Sequence, residues 1–337
     1  MIVDYKRINV TKSYLPSKEE YFEKISQIWD SHYLTNYGPL NNELVLRLEK
    51  YLGVKNLHYT TNGTVSLQLC LDALNVKEGE VITTPFTFIA TSSSIVWQKL
   101  KPVFVDIEKD GFNIDPDLIE EKINKKTVAI MAVHCFGIPC NVDKIQKIAK
   151  KHKLAVIYDA AHSFGTKIGD KSVLSYGDLV SCSLHGTKVF HTIEGGLCIC
   201  NNDKYQARVN AIKNFGSEDG SYKYIGINAK NSEFHAAMGL CVLDHLDEII
   251  EKRKEVSLMY TKELSKVLTI PKLPDNYFNE WTEENNNIQL ISKSLVNFVK
   301  YNFNEKSYKY ILSSNNEKFS DIKKIKTKYK RDRKSVV

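Results

Sequence analysis

The chain has 337 residues, of which 42% are hydrophobic, and this length allows one large domain and a smaller one, each with its own core. The formal net charge is +7, but residues 300–337 hold twelve basic and four acidic residues, so the rest of the chain is close to neutral. Charge therefore gives no support to nucleic-acid binding by the main body. No apolar run approaches the roughly 18 residues of a membrane helix, which predicts a soluble, cytoplasmic protein with no membrane partner.

The seven cysteines are scattered through apolar segments and form no Cys-x-x-Cys pair. This pattern is typical of reduced, buried thiols and not of a disulfide framework or a zinc site. The sequence therefore predicts no metal centre.

The chain begins with two predicted amphipathic helices, over residues 16–30 and 41–52, and Ser17 is placed to cap the first with Glu20 three residues later. A third helix is predicted over residues 65–74, with Gly63 and Thr64 at its start. Free backbone N–H groups, a hydroxyl and the positive end of the helix dipole can together bind an anion there. An ordinary N-cap has the same pattern, so the motif alone leaves both interpretations open.

Predicted strands and helices then alternate along the chain. The strands are expected over residues 81–84, 103–106, 127–134, 154–159, 178–182 and 197–200, and the helices over 88–100, 118–123 and 142–152. Such alternation with short connections predicts an α/β fold whose mostly parallel sheet is covered by helices on both faces. In sheets of this kind, ligands bind beyond the carboxyl ends of the strands.

Asp159 comes at the end of one of these apolar strands, where a carboxylate requires a cation or hydrogen-bond donors. Its partner could be structural, such as a lysine or a backbone turn. The functional alternative is that Asp159 pairs with a protonated ring nitrogen, as an acidic residue does in enzymes that use pyridoxal phosphate.

Lys188 lies in an irregular loop, residues 183–196, which joins two predicted strands. Hydroxyls, a histidine and a Gly-Gly pair flank it there. Such a setting suits a Schiff-base lysine, because a partly desolvated amine loses its proton and can attack a carbonyl. A solvated loop lysine is the alternative.

The last third of the chain changes character. A helix is predicted over residues 203–214, a Gly- and Asn-bearing loop over 216–231, and one or two helices over 233–267, while the sequence beyond residue 276 is polar and weakly patterned. We therefore predict a large domain over residues 1–245, a smaller, atypical α+β domain over 246–320 and a basic tail over 321–337.

Seven short motifs in one order resemble the DegT/DnrJ family of nucleotide-sugar aminotransferases. They are Thr35-Asn36-Tyr37-Gly38-Pro39, Thr61-Asn62-Gly63-Thr64, Thr87-Phe88-Ile89-Ala90-Thr91, Asp159-Ala160-Ala161-His162, Ser183-x-His185-x-x-Lys188, Glu194-Gly195-Gly196 and Gly226-x-Asn228-x-Lys230-x-Ser232-Glu233. The resemblance implies the aspartate-aminotransferase fold, fold type I, for the large domain.

The resemblance also implies a role for each matching residue. Lys188 would carry pyridoxal 5'-phosphate covalently and move the proton during transfer, Asp159 would pair with the ring nitrogen and His162 would touch the phenolic oxygen. Phe88 would stack on the ring, and Gly63, Thr64 and Ser183 would hold the phosphate. Asn228 would reach the cofactor of the neighbouring subunit, which implies a homodimer with a shared active site.

The implied reaction moves an amino group from an amino acid, expected to be L-glutamate, to a keto group on a nucleotide-linked 6-deoxyhexose, for polysaccharide or glycan biosynthesis. Residues 276–337 do not resemble the usual end of the family. An inactive member that only binds cofactor or sugar, with a truncated or frame-shifted end, therefore stays open as the alternative. Binding of nucleic acid or anionic lipid by the tail is a further, charge-based hypothesis.

Overall fold

The computed structural model describes residues 11–264 of the chain. The α-helices are α1 (Lys18–Ser31), α2 (Pro39–Leu52), α3 (Gly63–Ala73), α4 (Ile89–Trp97), α5 (Val142–His152), α6 (Gln206–Lys213), α7 (Glu233–Asp244) and α8 (Leu246–Leu264). The strands are β1 (Leu57–Thr60), β2 (Glu80–Thr83), β3 (Lys101–Phe104), β4 (Thr127–Val133), β5 (Ala155–Asp159), β6 (Lys167–Ile168), β7 (Lys171–Ser172), β8 (Leu179–Ser183), β9 (Gly196–Cys200), β10 (Ser217–Glu218) and β11 (Ser221–Tyr222).

One seven-stranded sheet forms the centre of the described region, in the order β1-β9-β8-β5-β4-β2-β3. Strands β8, β5, β4, β2 and β3 are parallel, whereas β9 runs antiparallel to both of its neighbours. The predicted α/β fold with a mostly parallel sheet is thus confirmed. The pairs β6–β7 and β10–β11 are short antiparallel ribbons outside this sheet.

Helices cover both faces of the sheet, and the alternation of strand residues divides the core into two clusters. Val156 and Tyr158 pack with residues of α2, α5 and α7. Ile157, between them in the chain, packs on the other face with residues of α3, α4 and α6. Because side chains of a strand alternate, Asp159 lies on the same face as Ile157, towards α3 and α4.

Several predicted elements differ from the structure. Residues 118–123 do not form a helix but contribute to two 3₁₀ turns, Pro116–Leu118 and Glu120–Lys122, because so short a segment does not overcome the cost of helix nucleation. The predicted helix over 203–214 begins as a 3₁₀ turn, Asp203–Tyr205, and becomes α-helical only at α6. The helix predicted over 88–100 ends at Trp97, since Lys99 adopts a positive φ of 60°.

Other features of the pattern are confirmed. Ser17 and Glu20 form a capping box at the start of α1, and α5 has the predicted bounds. Helix α8 begins at the predicted start of the C-terminal domain, whereas residues 265–337, which contain most of that domain and the basic tail, lie outside the described residues. The division into domains stays a prediction.

Candidate active site

Asp159 ends strand β5 at the carboxyl edge of the sheet, between β4 and β8. Its side chain is buried, and its carboxylate accepts a hydrogen bond from the Thr91 hydroxyl at 2.6 Å and from the Ala161 N–H at 3.1 Å. Burial raises the pKa of the Asp159 carboxyl, and these two donors and the nearby Lys188 ammonium oppose that rise. The edge of the sheet thus presents a buried acid, which can pair with a cation.

Lys188 lies in the loop between β8 and β9. The loop is closed by backbone hydrogen bonds from Leu184 to Gly195 (N···O 2.8 Å) and from Thr192 to Leu184 (3.0 Å), so it is held as a rigid connection. The Lys188 side chain is half-buried, and burial lowers the pKa of its amine, while the negative charge of Asp159 opposes the shift. A lowered pKa increases the fraction of neutral amine, which is the nucleophilic form.

The start of helix α3 packs closely against the end of β8. The Ser181 hydroxyl donates to the Gly63 carbonyl at 3.1 Å, and a Cβ on Gly63 would lie 2.9 Å from the Cβ of Ser183. On the other side, a Cβ on Gly196 would lie 2.4 Å from the carbonyl atoms of Asn62. Glycine is required at both places because the backbones approach so closely.

Asn62 is the N-cap of α3, and its side chain accepts a hydrogen bond from the Val65 N–H at 2.9 Å. Among residues 11–264, no acceptor contacts the backbone N–H groups of Gly63 and Thr64. The Thr64 side chain is exposed and that of Ser183 is half-buried beside them. The helix start therefore keeps two N–H donors, the dipole and nearby hydroxyls available for an anion.

His162 follows Asp159 by three residues and is half-buried. Its ring is parallel to that of Phe136, with 6.2 Å between the centroids and an interplanar angle of 2°. Burial, and then the charge of Lys188, lower the pKa of His162 to about 3. The imidazole is thus neutral at physiological pH and has one donor and one acceptor nitrogen.

Two predicted site residues lie at the surface of the described region. Phe88 is the N-cap of α4 and is 73% exposed, one turn before Thr91. Asn228 is exposed on a segment that forms a β-bridge with Asn214. The Asn228 side chain makes no hydrogen bond within residues 11–264. Stacking by Phe88 and a contact of Asn228 with a second subunit both stay predictions.

The sequence did not predict roles for Thr91 and Glu233, although both lie in the motifs quoted above. The buried Glu233 carboxylate accepts hydrogen bonds from the N–H groups of Leu40 (2.7 Å) and Asn41 (2.9 Å) at the start of α2. Two signals were available in the sequence. Thr87 and Thr91 are four residues apart at the start of a predicted helix, and Glu233 is an acid at the start of an apolar helix.

The described part of the chain has no cluster of His, Cys, Asp or Glu side chains that could hold a metal ion. Within the same residues, no helix is sufficiently long and apolar to cross a membrane. A half-buried lysine, a buried acid and a free helix N-terminus at one edge of a mostly parallel sheet are instead the elements of a pyridoxal phosphate-dependent enzyme.

The comparisons with known proteins agree with this class. The model of the DegT/DnrJ/EryC1/StrS aminotransferase family matches residues 16–294. The chain is 45% identical over 266 residues to the dTDP-4-amino-4,6-dideoxy-D-glucose transaminase of Shigella dysenteriae, covering 79% of this chain and 72% of the relative. It is 44% identical over 276 residues to the Escherichia coli protein of that name, covering 80% and 73%.

Solved structures show the same fold. The crystal structure of DesI in the presence of its TDP-sugar product superposes with a TM-score of 0.74 at 34% identity, covering 78% of this chain and 67% of that one. Helicobacter pylori PseC, an aminotransferase involved in the biosynthesis of pseudoaminic acid, superposes with a TM-score of 0.71 at 29% identity, covering 77% and 71%. These relatives confirm fold type I.

The chain belongs to the DegT/DnrJ/EryC1/StrS aminotransferase family. Its relatives are nucleotide-sugar aminotransferases of the pyridoxal phosphate-dependent type, and the predicted enzyme class is confirmed. The alternative of an inactive, ligand-binding member is not favoured, since the similar proteins named above are transaminases.

Proposed function

We propose that this protein transfers an amino group from L-glutamate to the C4 keto group of a dTDP-linked 6-deoxyhexose, with pyridoxal 5'-phosphate as its cofactor, to supply an amino sugar for a surface polysaccharide. The observation that carries the proposal is the meeting of Lys188, Asp159 and the free N-terminus of α3 at one edge of the sheet. The names of the Shigella dysenteriae and Escherichia coli relatives support C4 and the dTDP nucleotide.

The residues present fit pyridoxal phosphate. The N–H groups of Gly63 and Thr64 and the hydroxyl of Ser183 suit a phosphate, and the close contact of Gly63 with β8 forms a cradle that a Cβ would fill. When bound, the cofactor supplies an electron sink that stabilises negative charge on the donor's α carbon. The ionised Asp159 would keep the ring nitrogen protonated, and Phe88 would cover the ring.

Lys188 has two tasks in the proposed reaction. Its amine would first hold the cofactor. Once the amino donor has displaced it, the amine would take the proton from the donor's α carbon and return it to the cofactor carbon that carries the nitrogen. The lowered pKa of this amine fits both tasks, because a base must be unprotonated to accept a proton. The neutral His162 would donate a hydrogen bond to the phenolic oxygen.

The chain is also proposed to form a homodimer in which Asn228 of each subunit reaches the other subunit's phosphate. The exposure of Asn228, of Ile225 (96%) and of Ile227 (42%) on one segment supports a partner surface there. Sedimentation of the purified protein measures this directly, and a monomer at assay concentration would exclude the shared site.

The test of the proposed function is an absorbance spectrum of the protein with pyridoxal phosphate, followed by assay with dTDP-4-keto-6-deoxyglucose. We expect a visible band of lysine-bound cofactor that bleaches on addition of L-glutamate, and an amino-sugar product with the keto-sugar. Lys188→Ala should lose the band and at least about 1,000-fold in turnover. Lys167→Ala, at an exposed lysine, is the matched control.

A Lys188→Ala protein that still turns over would contradict the assignment of Lys188. A GDP-linked 4-keto sugar, presented in parallel, tests the nucleotide, because a GDP-perosamine synthase of Vibrio cholerae is also a relative, 31% identical over 240 residues that cover 70% of this chain and 65% of that one. Preference for the GDP substrate would overturn the dTDP assignment and leave the transamination intact.

A further inference from the structure

Two threonine hydroxyls connect helix α4 to Asp159. The Oγ1 atoms of Thr87 and Thr91 are 2.7 Å apart, and Thr91 Oγ1 is 2.6 Å from Asp159 Oδ2. Thr91 is fully buried, and it lies in the first turn of α4, where its N–H donates to the Phe88 carbonyl at 3.2 Å. The hydroxyl thus has a fixed position behind the carboxylate.

Counting protons gives the direction of these hydrogen bonds. A threonine hydroxyl has one proton and two acceptor lone pairs. When Asp159 is ionised it can only accept, so Thr91 uses its proton on Oδ2 and must accept from Thr87. Thr87 thus donates to Thr91 and Thr91 donates to Asp159, and each of these two hydrogen bonds strengthens the other.

The charges around Asp159 show why the hydrogen bond from Thr91 matters for its ionisation. Burial raises the pKa of its carboxyl, and the opposing contributions come from Thr91, the Ala161 N–H and the Lys188 charge, in that order. Within residues 11–264, the other titratable groups that interact with Asp159 are the thiols of Cys135 and Cys182, and burial keeps both neutral. Thr91 is therefore the side chain within the described residues that does most to favour the ionised form.

We propose that Thr91 is a positioning residue that keeps Asp159 ionised and fixes the orientation of its carboxylate, with Thr87 as the donor that polarises it. Thr91 binds one carboxylate oxygen and Ala161 the other, so each oxygen keeps a lone pair for a protonated ring nitrogen. The inference rests on the proposed function, since the ionised acid matters only if it faces such a ring.

The first test uses the full-length protein without cofactor. Thr91→Val removes the hydroxyl and keeps the side-chain volume, so we expect a further rise in the pKa of Asp159. A carboxyl whose pKa is raised by folding loses stabilisation as pH rises through that pKa. The loss of melting temperature relative to wild type should therefore be larger at about pH 8 than at about pH 5.

Two further variants isolate the hydroxyl. Thr91→Ser keeps the donor and should restore the wild-type difference between the two pH values. Ser94→Ala is the matched control, because the buried Ser94 hydroxyl lies on the same helix but donates to the Thr91 carbonyl at 2.9 Å and not to Asp159. Its effect on melting temperature should be equal at both pH values.

The second test titrates the same proteins with pyridoxal phosphate and follows fluorescence quenching. Thr91→Val should weaken cofactor affinity by about ten- to a hundredfold, the effect of removing one hydrogen bond to a charged group, and lower kcat more than KM changes. Thr91→Ser should stay within about threefold of wild type, as should Ser94→Ala.

The outcomes separate this inference from the proposed function. A Thr91→Val protein with a pH-independent loss of melting temperature would show a packing role alone and overturn the inference, as would wild-type cofactor affinity and kcat. If the wild-type protein does not bind pyridoxal phosphate, the proposed function fails, while the pH difference without cofactor still decides whether Thr91 sets the ionisation of Asp159.

Discussion

The N-termini of helices α2 and α3 differ in whether their free backbone N–H groups have an acceptor. At α2, Pro39 has no N–H, and the N–H groups of Leu40 and Asn41 both donate to the buried Glu233 carboxylate. At α3, the N–H groups of Gly63 and Thr64, the first two residues of the helix, have no acceptor within residues 11–264, whereas the Val65 N–H donates to the side chain of the N-cap Asn62. Both helix starts favour an anion, and the chain supplies its own to α2 only.

A structural helix N-terminus can be distinguished from a ligand-binding one by whether a side chain of the same protein occupies it. A Cβ on Gly38 would lie 2.5 Å from the Glu233 carboxyl, so α2 is closed around an internal acid. At α3, glycine instead allows close approach to Ser183, which carries a hydroxyl and no charge. The free N-terminus of α3 is therefore the one for which we propose binding of an external phosphate.

Placing an acid at the free N-terminus should have the largest effect. Thr64→Glu puts a carboxylate where Thr64 is exposed, so it requires no repacking. Two like charges a few ångströms apart repel strongly, and with allowance for solvent screening we expect cofactor affinity to fall by about 100-fold. Equilibrium titration with pyridoxal phosphate measures this change.

Thr64→Gln is the matched control, since it has a similar size and no charge, and its loss should be about tenfold or less. The Thr64→Glu protein should unfold at the same or a slightly higher temperature without cofactor, because an acid in the first turn stabilises a helix by about 0.3–1 kcal/mol. Equal affinities of the two variants would mean that the phosphate binds elsewhere.

Removing the Glu233 carboxylate from the start of α2 should reduce the stability of the fold and leave cofactor affinity unchanged. Glu233→Ala leaves two buried N–H groups without an acceptor, at a cost of about 2 kcal/mol or more in the free energy of unfolding. Burial raises the pKa of Glu233, so wild type loses part of this advantage as pH rises, and the deficit of the variant should shrink from low to high pH.

Chemical denaturation at several pH values checks this prediction. Glu233→Gln retains one acceptor oxygen and the side-chain volume, and should recover about half of the loss. A large fall in cofactor affinity in either variant would contradict the division between the two helix starts.

Substitution of the first residue of α3 or of α2 should have the smallest effect on cofactor affinity. Gly63→Ala adds a Cβ that would lie 2.9 Å from that of Ser183, which should displace the helix start and weaken cofactor affinity by about tenfold. Pro39→Ala is the equivalent change at α2 and should leave affinity unchanged. Titration of both proteins tests the comparison, and an equal loss in both would refute it.

Local signals predicted much of the fold, because they depend on neighbouring residues. The capping box of Ser17 and Glu20 and the strongly amphipathic α5 both formed as the pattern indicated. Strand β1 was not predicted, since its four residues lack clear alternation and it is completed only by pairing with β9. Element types were predictable where the period was long and strong, and ends were less so.

The candidate site shows the same limit. The places of Asp159 at the end of a buried strand and of Lys188 in the loop after another were predicted from the sequence, whereas their roles stay predictions. The start of α3 was interpreted as an anion site or an ordinary cap. The choice between an anion site and an ordinary cap depends on whether any acceptor lies near the Gly63 N–H. At α2 the acceptor is Glu233, which lies nearly 200 residues further along the chain. No local pattern contains such information.

The antiparallel pairing of β1 with β9 also has a consequence for synthesis on the ribosome. Leu57 pairs with Ile199, so the edge strand is made about 140 residues before its partner. At the usual rate of about 5–20 residues per second, β1 waits on the order of ten seconds with its backbone unpaired. During that interval the nascent chain exposes an unpaired strand to which a chaperone, or another unfinished chain, can bind.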